Sequence, residues 1–186
     1  PLGWIKDASC RLANALEAEG IGKGDRVMLM LYRRIDFWVA MLALHRMGAV
    51  AVPSPNLLTS KDIVYRVQAG KIKAAIAEDS VVERIQQARP QCQALELCIQ
   101  CGPAPLPADW VAWEPLLASA SPTYTRREDT ACDDDTLLIY FTSGTTGPPK
   151  MVEHTHRYPL GHIITGLYWH DLEPGDVHLT VADTGW

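Results

Sequence analysis

Apolar residues return at helical spacing from Ile5 to Glu19 (Ile5, Ala8, Leu12, Ala15, Leu16), and Gly20 supplies a C-terminal stop. The turn at residues 22–25 leads into the apolar run 27–31, which reads as a buried strand. Ile35, Trp38, Met41, Leu42 and His45 mark a second amphipathic helix, closed by Gly48. A short strand at 49–52 ends at Pro53 and Pro55. Thr59 and Asp62 form a capping pair for a helix that ends near Gly70. Strand 74–77, helix 81–88 and strand 95–99 complete a regular alternation.

Such alternation is the signature of an α/β fold, with parallel sheet flanked by helices. The rhythm breaks between Gly102 and Asp135, where five prolines precede a charged run. A short helix is expected near residues 110–117. The chain therefore divides into a first α/β subdomain (1–102), a Pro-rich and acidic connection (103–135) between two sheet regions, and the start of a second subdomain (136–186). In that last part, residues 137–141 read as a buried strand and 151–154 as another, a hairpin with residues 142–150 at its tip. Ile163, Gly166, Leu167 and His170 suggest a helix, and 177–181 a final strand.

Composition narrows the functional classes. The chain has 186 residues, 47% hydrophobic and 21% charged, which is ordinary for a globular protein with a real core. A net charge of −5 offers no global attraction to nucleic acid or anionic membrane. No apolar run approaches the ~20 residues of a membrane span, and no basic segment followed by an apolar stretch marks a secretory signal. Pro1 and Trp186 read as cut ends of a longer protein. Five scattered cysteines (10, 92, 98, 101 and 132) suggest reduced thiols and a cytoplasmic compartment, which a removed organelle transit peptide would mimic.

Thr142-Ser143-Gly144-Thr145-Thr146-Gly147-Pro148-Pro149-Lys150 carries the clearest chemistry. Four hydroxyls and two glycines let side chains and close-approaching backbone N–H groups ring phosphate oxygens, and Lys150 adds a mobile positive charge. A flexible surface loop is the plain alternative. The P-loop pattern G-x-x-x-x-G-K-S/T does not fit: counting from Gly144, its second glycine would fall at Pro149, and Met151 follows the lysine. The dinucleotide fingerprint fails as well, since Gly20, Gly22 and Gly24 have the wrong spacing and precede a strand. Cys98 and Cys101 lack the partners of a zinc site and the helix of a redox motif, and read as structural. His154 and His156 share a strand face without an evident third ligand, and Asp133 to Asp135 read as solvated. No metal site is expected in this segment. Trp38, Trp110, Trp113 and Trp169 read as packing residues. Trp186 follows a strand end, where open α/β sheets bind ligands, with a plain strand-exit turn as the alternative.

All nine positions from Thr142 to Lys150 fit T-S-G-T-T-G-x-P-K, and so the stretch resembles the phosphate-binding signature of the adenylate-forming superfamily. That superfamily includes acyl-CoA synthetases, luciferases and peptide-synthetase adenylation domains. Gly24-Asp25-Arg26-Val27 and residues 43–53 resemble earlier family segments in their usual order. Residues 150–154 and 182–186 are most similar to acetyl-CoA and medium-chain acyl-CoA synthetases. The likeness is weakest over 90–135. It implies part of the large N-terminal domain of an adenylate-forming enzyme. That enzyme would bind ATP with Mg²⁺, activate a short- or medium-chain or aromatic carboxylate as acyl-AMP, and transfer it to CoA. The resemblance assigns Thr142, Ser143, Gly144, Thr145, Thr146, Gly147, Pro148, Pro149 and Lys150 to the ATP phosphates, and Trp186 to the carboxylate pocket. Its catalytic residues and Mg²⁺ ligand are expected later in sequence, so the isolated segment is expected to be inactive. An adenylation domain loading a carrier-protein thiol, or a non-catalytic ATP-binding module, remain alternatives.

Overall fold

The computed structural model describes residues 2–142 and 147–185. Its strands form one seven-stranded sheet in the order β5-β4-β3-β1-β2-β6-β7. In chain order these are β1 (Arg26–Met30), β2 (Val50–Pro53), β3 (Ile72–Glu78), β4 (Leu97–Cys101), β5 (Val111–Ala112), β6 (Thr136–Thr142) and β7 (Lys150–Thr155). All neighbours run parallel except β6 and β7, which form an antiparallel hairpin at one edge. The mostly parallel, helix-flanked sheet is the α/β architecture expected from the alternation.

Period-two alternation sends the central strands' side chains into two cores. Val27, Leu29 and Ala74 face one side with α1 (Leu2–Ala18), α2 (Ile35–Met47) and α5 (Trp113–Ser119). Met28, Met30 and Ala75 face the other with α3 (Ser60–Gly70) and α4 (Val82–Ala88). Buried on both faces, β1 and β2 read as continuous apolar runs, as parallel strands must. The chain thus leaves β1 toward one face and β2 toward the other, which opens a crevice at their carboxyl ends.

The α3 helix is built as its sequence dictates. Thr59 N donates to Asp62 Oδ2 at 2.9 Å while Asp62 N donates to Thr59 Oγ1 at 3.3 Å, a reciprocal capping box. The Thr59 hydroxyl and amide together hold the Asp62 carboxyl below the ordinary carboxylate range.

Several expectations are corrected. The 103–135 connection does not pass to a separate sheet: β6 joins the same sheet beside β2, bridged at Ala51↔Leu138. The strand expected at 95–99 lies two residues later, ending where Gly102 turns the backbone at φ 128°. In α2 the stripe Ile35, Trp38 and Leu42 is the exposed one. Phe37, Ala40, Leu44 and Met47 are buried instead, because the helix is apolar on nearly all sides and periodicity cannot choose a face. Trp110 and Trp113 pack in the cores, whereas Trp38 and Trp169 are 55% and 81% exposed. The last helix begins earlier than expected: α6 (Tyr158–Ile164) takes Pro159 in its first turn, and a wider turn over Thr165–Trp169 follows. Residues 177–181 form no strand. Val177, Leu179 and Val181 lie exposed, and no neighbouring strand among the described residues takes their backbone hydrogen bonds.

Removing the capping box tests this description of α3. Thr59→Ala in the full-length protein is expected to cost about 0.5–2 kcal/mol, measured by urea denaturation, whereas Thr59→Ser leaves stability nearly unchanged.

Candidate functional site

The β6–β7 hairpin places the Ser/Thr/Gly-rich stretch at its turn, with Thr142 opposite Lys150 in register. Thr142 Oγ1 donates to the Lys150 carbonyl at 3.4 Å, closing the base of the turn, and both residues are exposed. Gly147 takes φ 107°, a backbone conformation that favours glycine, and so turns the chain toward Pro148 and Pro149. Ser143, Gly144, Thr145, Thr146 and Trp186 lie outside the described residues. Of the nine stretch positions, Thr142 and Gly147 to Lys150 are therefore the ones located.

Below the turn, Phe141 is buried in the α3-side core. Tyr65 of α3 donates its hydroxyl to the Pro149 carbonyl at 2.8 Å, and the Arg66 guanidinium lies 4.8 Å from the centre of the Phe141 ring. Arg66 is buried, and desolvation lowers its affinity for a proton. Neither residue was singled out from sequence; within α3 they occupy ordinary helical positions, and nothing in their spacing marks them.

At the sheet's carboxyl edge, the Glu78 carboxylate accepts hydrogen bonds from Tyr32 N (3.1 Å) and from Asn56 Nδ2 (2.6 Å). It thereby ties together the ends of β1, β2 and β3. Thr184 Oγ1 donates to the Leu31 carbonyl at 3.0 Å, and a Cβ at Gly185 would stand 2.3 Å from Pro55 N. The Asp183-Thr184-Gly185 turn is therefore seated on the crevice between β1 and β2. A groove of about 760 Å³ runs beside it, lined by Arg33, Arg34, Trp38, Met41, Tyr140 and Val181 among others.

The remaining candidates resolve into packing. Cys98 and Cys101 belong to the cores on opposite faces of the sheet, which precludes a shared dithiol or chelate. Burial pushes the Cys98 thiol up to about 12 and raises Cys101 as well. His154 stacks against Tyr158 with ring centroids 4.1 Å apart, while His156 faces His45 at 6.2 Å. Among the described residues no three His, Cys, Asp or Glu side chains gather as a metal site. Asp135 pairs with Lys23 at 2.9 Å, and Asp133 and Asp134 sit beside Arg157 at the surface.

An open α/β sheet with a crevice at its strand ends, and the β6–β7 hairpin beside it, is the arrangement in which α/β proteins as a class take small ligands. Residues 5–186 match the AMP-binding enzyme family, and the chain belongs to that family. It is 37% identical over 180 residues to the acyl-coenzyme A synthetase ACSM5, mitochondrial, of Mus musculus, covering 96% of this chain and 31% of that protein. The acyl-coenzyme A synthetase ACSM2, mitochondrial, of Rattus norvegicus is 35% identical over 183 residues, covering 98% and 32%. Among solved structures, the acetoacetyl-CoA synthetase from Streptomyces lividans superposes with a TM-score of 0.87 at 24% identity, covering 98% of this chain and 30% of that one. The anthranilate CoA ligase AuaEII in complex with anthranoyl-AMP gives 0.81 at 21%, covering 88% and 31%. At those identities the structures establish the fold. The chain spans about 31% of the length of these curated relatives.

Gly185→Ala in the full-length protein should displace the turn from the Ser54-Pro55 backbone and cost about 1–3 kcal/mol, read from denaturant midpoints. His45, desolvated in α2 and facing His156, has its pKa lowered to about 4 from an ordinary 6.5. Between those values the unfolded chain binds the proton and the folded one does not, so His45 makes stability fall as pH drops from 6.5 toward 4 and leaves it flat above. His45→Gln is expected to shrink the loss in urea midpoint between pH 7 and pH 5; an undiminished loss would contradict this.

Proposed function

We propose that the full-length protein is an AMP-forming acyl-CoA synthetase, and that this segment carries the phosphate side of its ATP site. The observation behind the reading is the nine-residue stretch from Thr142 to Lys150, set at the turn of an edge hairpin in a chain of the AMP-binding enzyme family. The curated relatives named above, all acyl-coenzyme A synthetases, favour CoA as acceptor over a carrier-protein thiol.

In the proposed reaction a carboxylate oxygen attacks the α-phosphorus of ATP. The bond from that phosphorus to the bridging oxygen breaks, giving acyl-AMP and pyrophosphate. A CoA thiol then attacks the acyl carbon, loses its proton, and expels AMP to leave the thioester. Negative charge grows on the departing pyrophosphate, and preplaced donors stabilise it without reorganisation. The hydroxyls of Ser143, Thr145 and Thr146, and that of Thr142 on exchanging the Lys150 carbonyl for a phosphate oxygen, with backbone N–H groups at Gly144 and Gly147, would hold the β- and γ-phosphates. Lys150, at the foot of the turn, would neutralise charge on the same groups. Mg²⁺ would arrive with ATP, its protein ligand expected beyond residue 186. Trp186, following the turn seated on the β1–β2 crevice, would wall the pocket for a short- or medium-chain or aromatic carboxylate. The relatives' names carry a mitochondrial designation, so the cytoplasmic expectation draws no support from them. Among the described residues no helix is long and apolar enough to cross a membrane.

Carboxylate-dependent ATP–pyrophosphate exchange by the full-length protein, over C2 to C10 and aromatic acids, tests this reading. Exchange with at least one acid is expected, and Lys150→Ala or Thr145→Ala should lower it roughly 10²-fold, as loss of one transition-state donor does. ATP binding without exchange would instead identify a non-catalytic module. The 186-residue segment alone is expected to show no exchange.

A further inference from the structure

Two consecutive residues of α3 grip the hairpin from the sheet's α3 side. The Tyr65 hydroxyl donates to the Pro149 carbonyl at 2.8 Å, and its ring stands edge-on to Phe141 with centroids 6.2 Å apart. Arg66, only 6% exposed, lays its guanidinium over the same Phe141 ring, and its Nε and Nη1 have no hydrogen-bond partner among the described residues. Phe141 leads into the turn and Pro149 leads out of it, so α3 holds the turn on both sides. Among the described residues, Tyr65 is the one side chain outside the hairpin that hydrogen-bonds to residues 147–150. Pro148 and Pro149 have no N–H with which to anchor themselves, so the Pro149 carbonyl is a natural handle and a donor must come from elsewhere. The capping box at Thr59 and the paired carbonyls of Asn56 and Leu58, both held by Arg84, fix the start of the helix that supplies it.

We propose that Tyr65 is a positioning residue for nucleotide binding. Its hydroxyl fixes Pro149 and thereby sets where Lys150 and the donors of the turn stand relative to the ATP phosphates. The Arg66–Phe141 stack is the rigid base against which it works. The inference rests on the phosphate-binding reading of the turn and adds a residue from a different element, one that touches no substrate.

Tyr65→Phe keeps the ring and its packing on Phe141 and removes only the hydroxyl. Full-length wild-type and Tyr65→Phe proteins are titrated with MgATP at equilibrium, with melting temperature and the carboxylate KM in the exchange assay measured alongside. The variant is expected to bind MgATP roughly 3- to 10-fold more weakly, the factor carried by one neutral hydrogen bond, with carboxylate KM unchanged and only a small fall in melting temperature, because the same bond is made in the ligand-free fold. Equal MgATP affinity in the two proteins would overturn the role of Tyr65 while leaving the phosphate-binding reading intact. A weakening matched by an equally raised carboxylate KM would show general loosening and also overturn it. Wild-type protein that binds no MgATP would overturn both readings together.

Discussion

The β6–β7 hairpin hangs on a narrow joint. Its parallel pairing with β2 is a single bridge, Ala51↔Leu138, whereas β6 and β7 pair with each other along six positions. A hairpin alone is marginal in water, so its placement depends on what its side chains bury. Leu137 and Leu138 enter the α1–α2 core, and Ile139 and Phe141 enter the α3–α4 core. Both cores therefore vote on where the turn stands. Thr142 and Gly147 to Lys150 bury little, and the placement of the hairpin is a consequence of apolar packing along β6.

The same economy shapes the opposite end of the crevice. Three parallel strand ends converge on Glu78, whose carboxylate satisfies a backbone N–H from the β1 exit and an amide from the β2 exit. Parallel strands leave such groups open at their carboxyl ends, and a carboxylate with several acceptor sites serves them at once. Thr184 and Gly185 then dock on Leu31 and Pro55, with glycine needed because backbone meets backbone. The β6–β7 end of the hairpin and the docked turn belong to one surface because the helices leave β1 and β2 on opposite faces.

Much of the fold was legible in the sequence because its signals were local. Gly48 as a left-handed helix stop, Thr59 with Asp62 as a capping box, and the apolar runs at 27–31 and 137–141 each carried their own physics. The failures share a cause. An all-apolar helix such as α2 does not announce its buried face, so Trp38 was misplaced. An alternating run such as 177–181 becomes a strand only if a neighbour accepts its hydrogen bonds, and none among the described residues does. At the candidate site, the Thr142–Lys150 stretch stood out because a motif is contiguous. Tyr65, Arg66 and Glu78 were not, because their significance lies in the partners that tertiary structure gives them.

In the proposed function the turn between β6 and β7 receives the phosphates of a nucleotide. A crystal structure of the full-length protein with a non-hydrolysable ATP analogue and Mg²⁺ tests it most directly. The β- and γ-phosphate oxygens are expected within hydrogen-bond distance of residues 142–150, with Tyr65 still bonded to the Pro149 carbonyl. Phosphates seated elsewhere, with the turn empty and facing solvent, would contradict it.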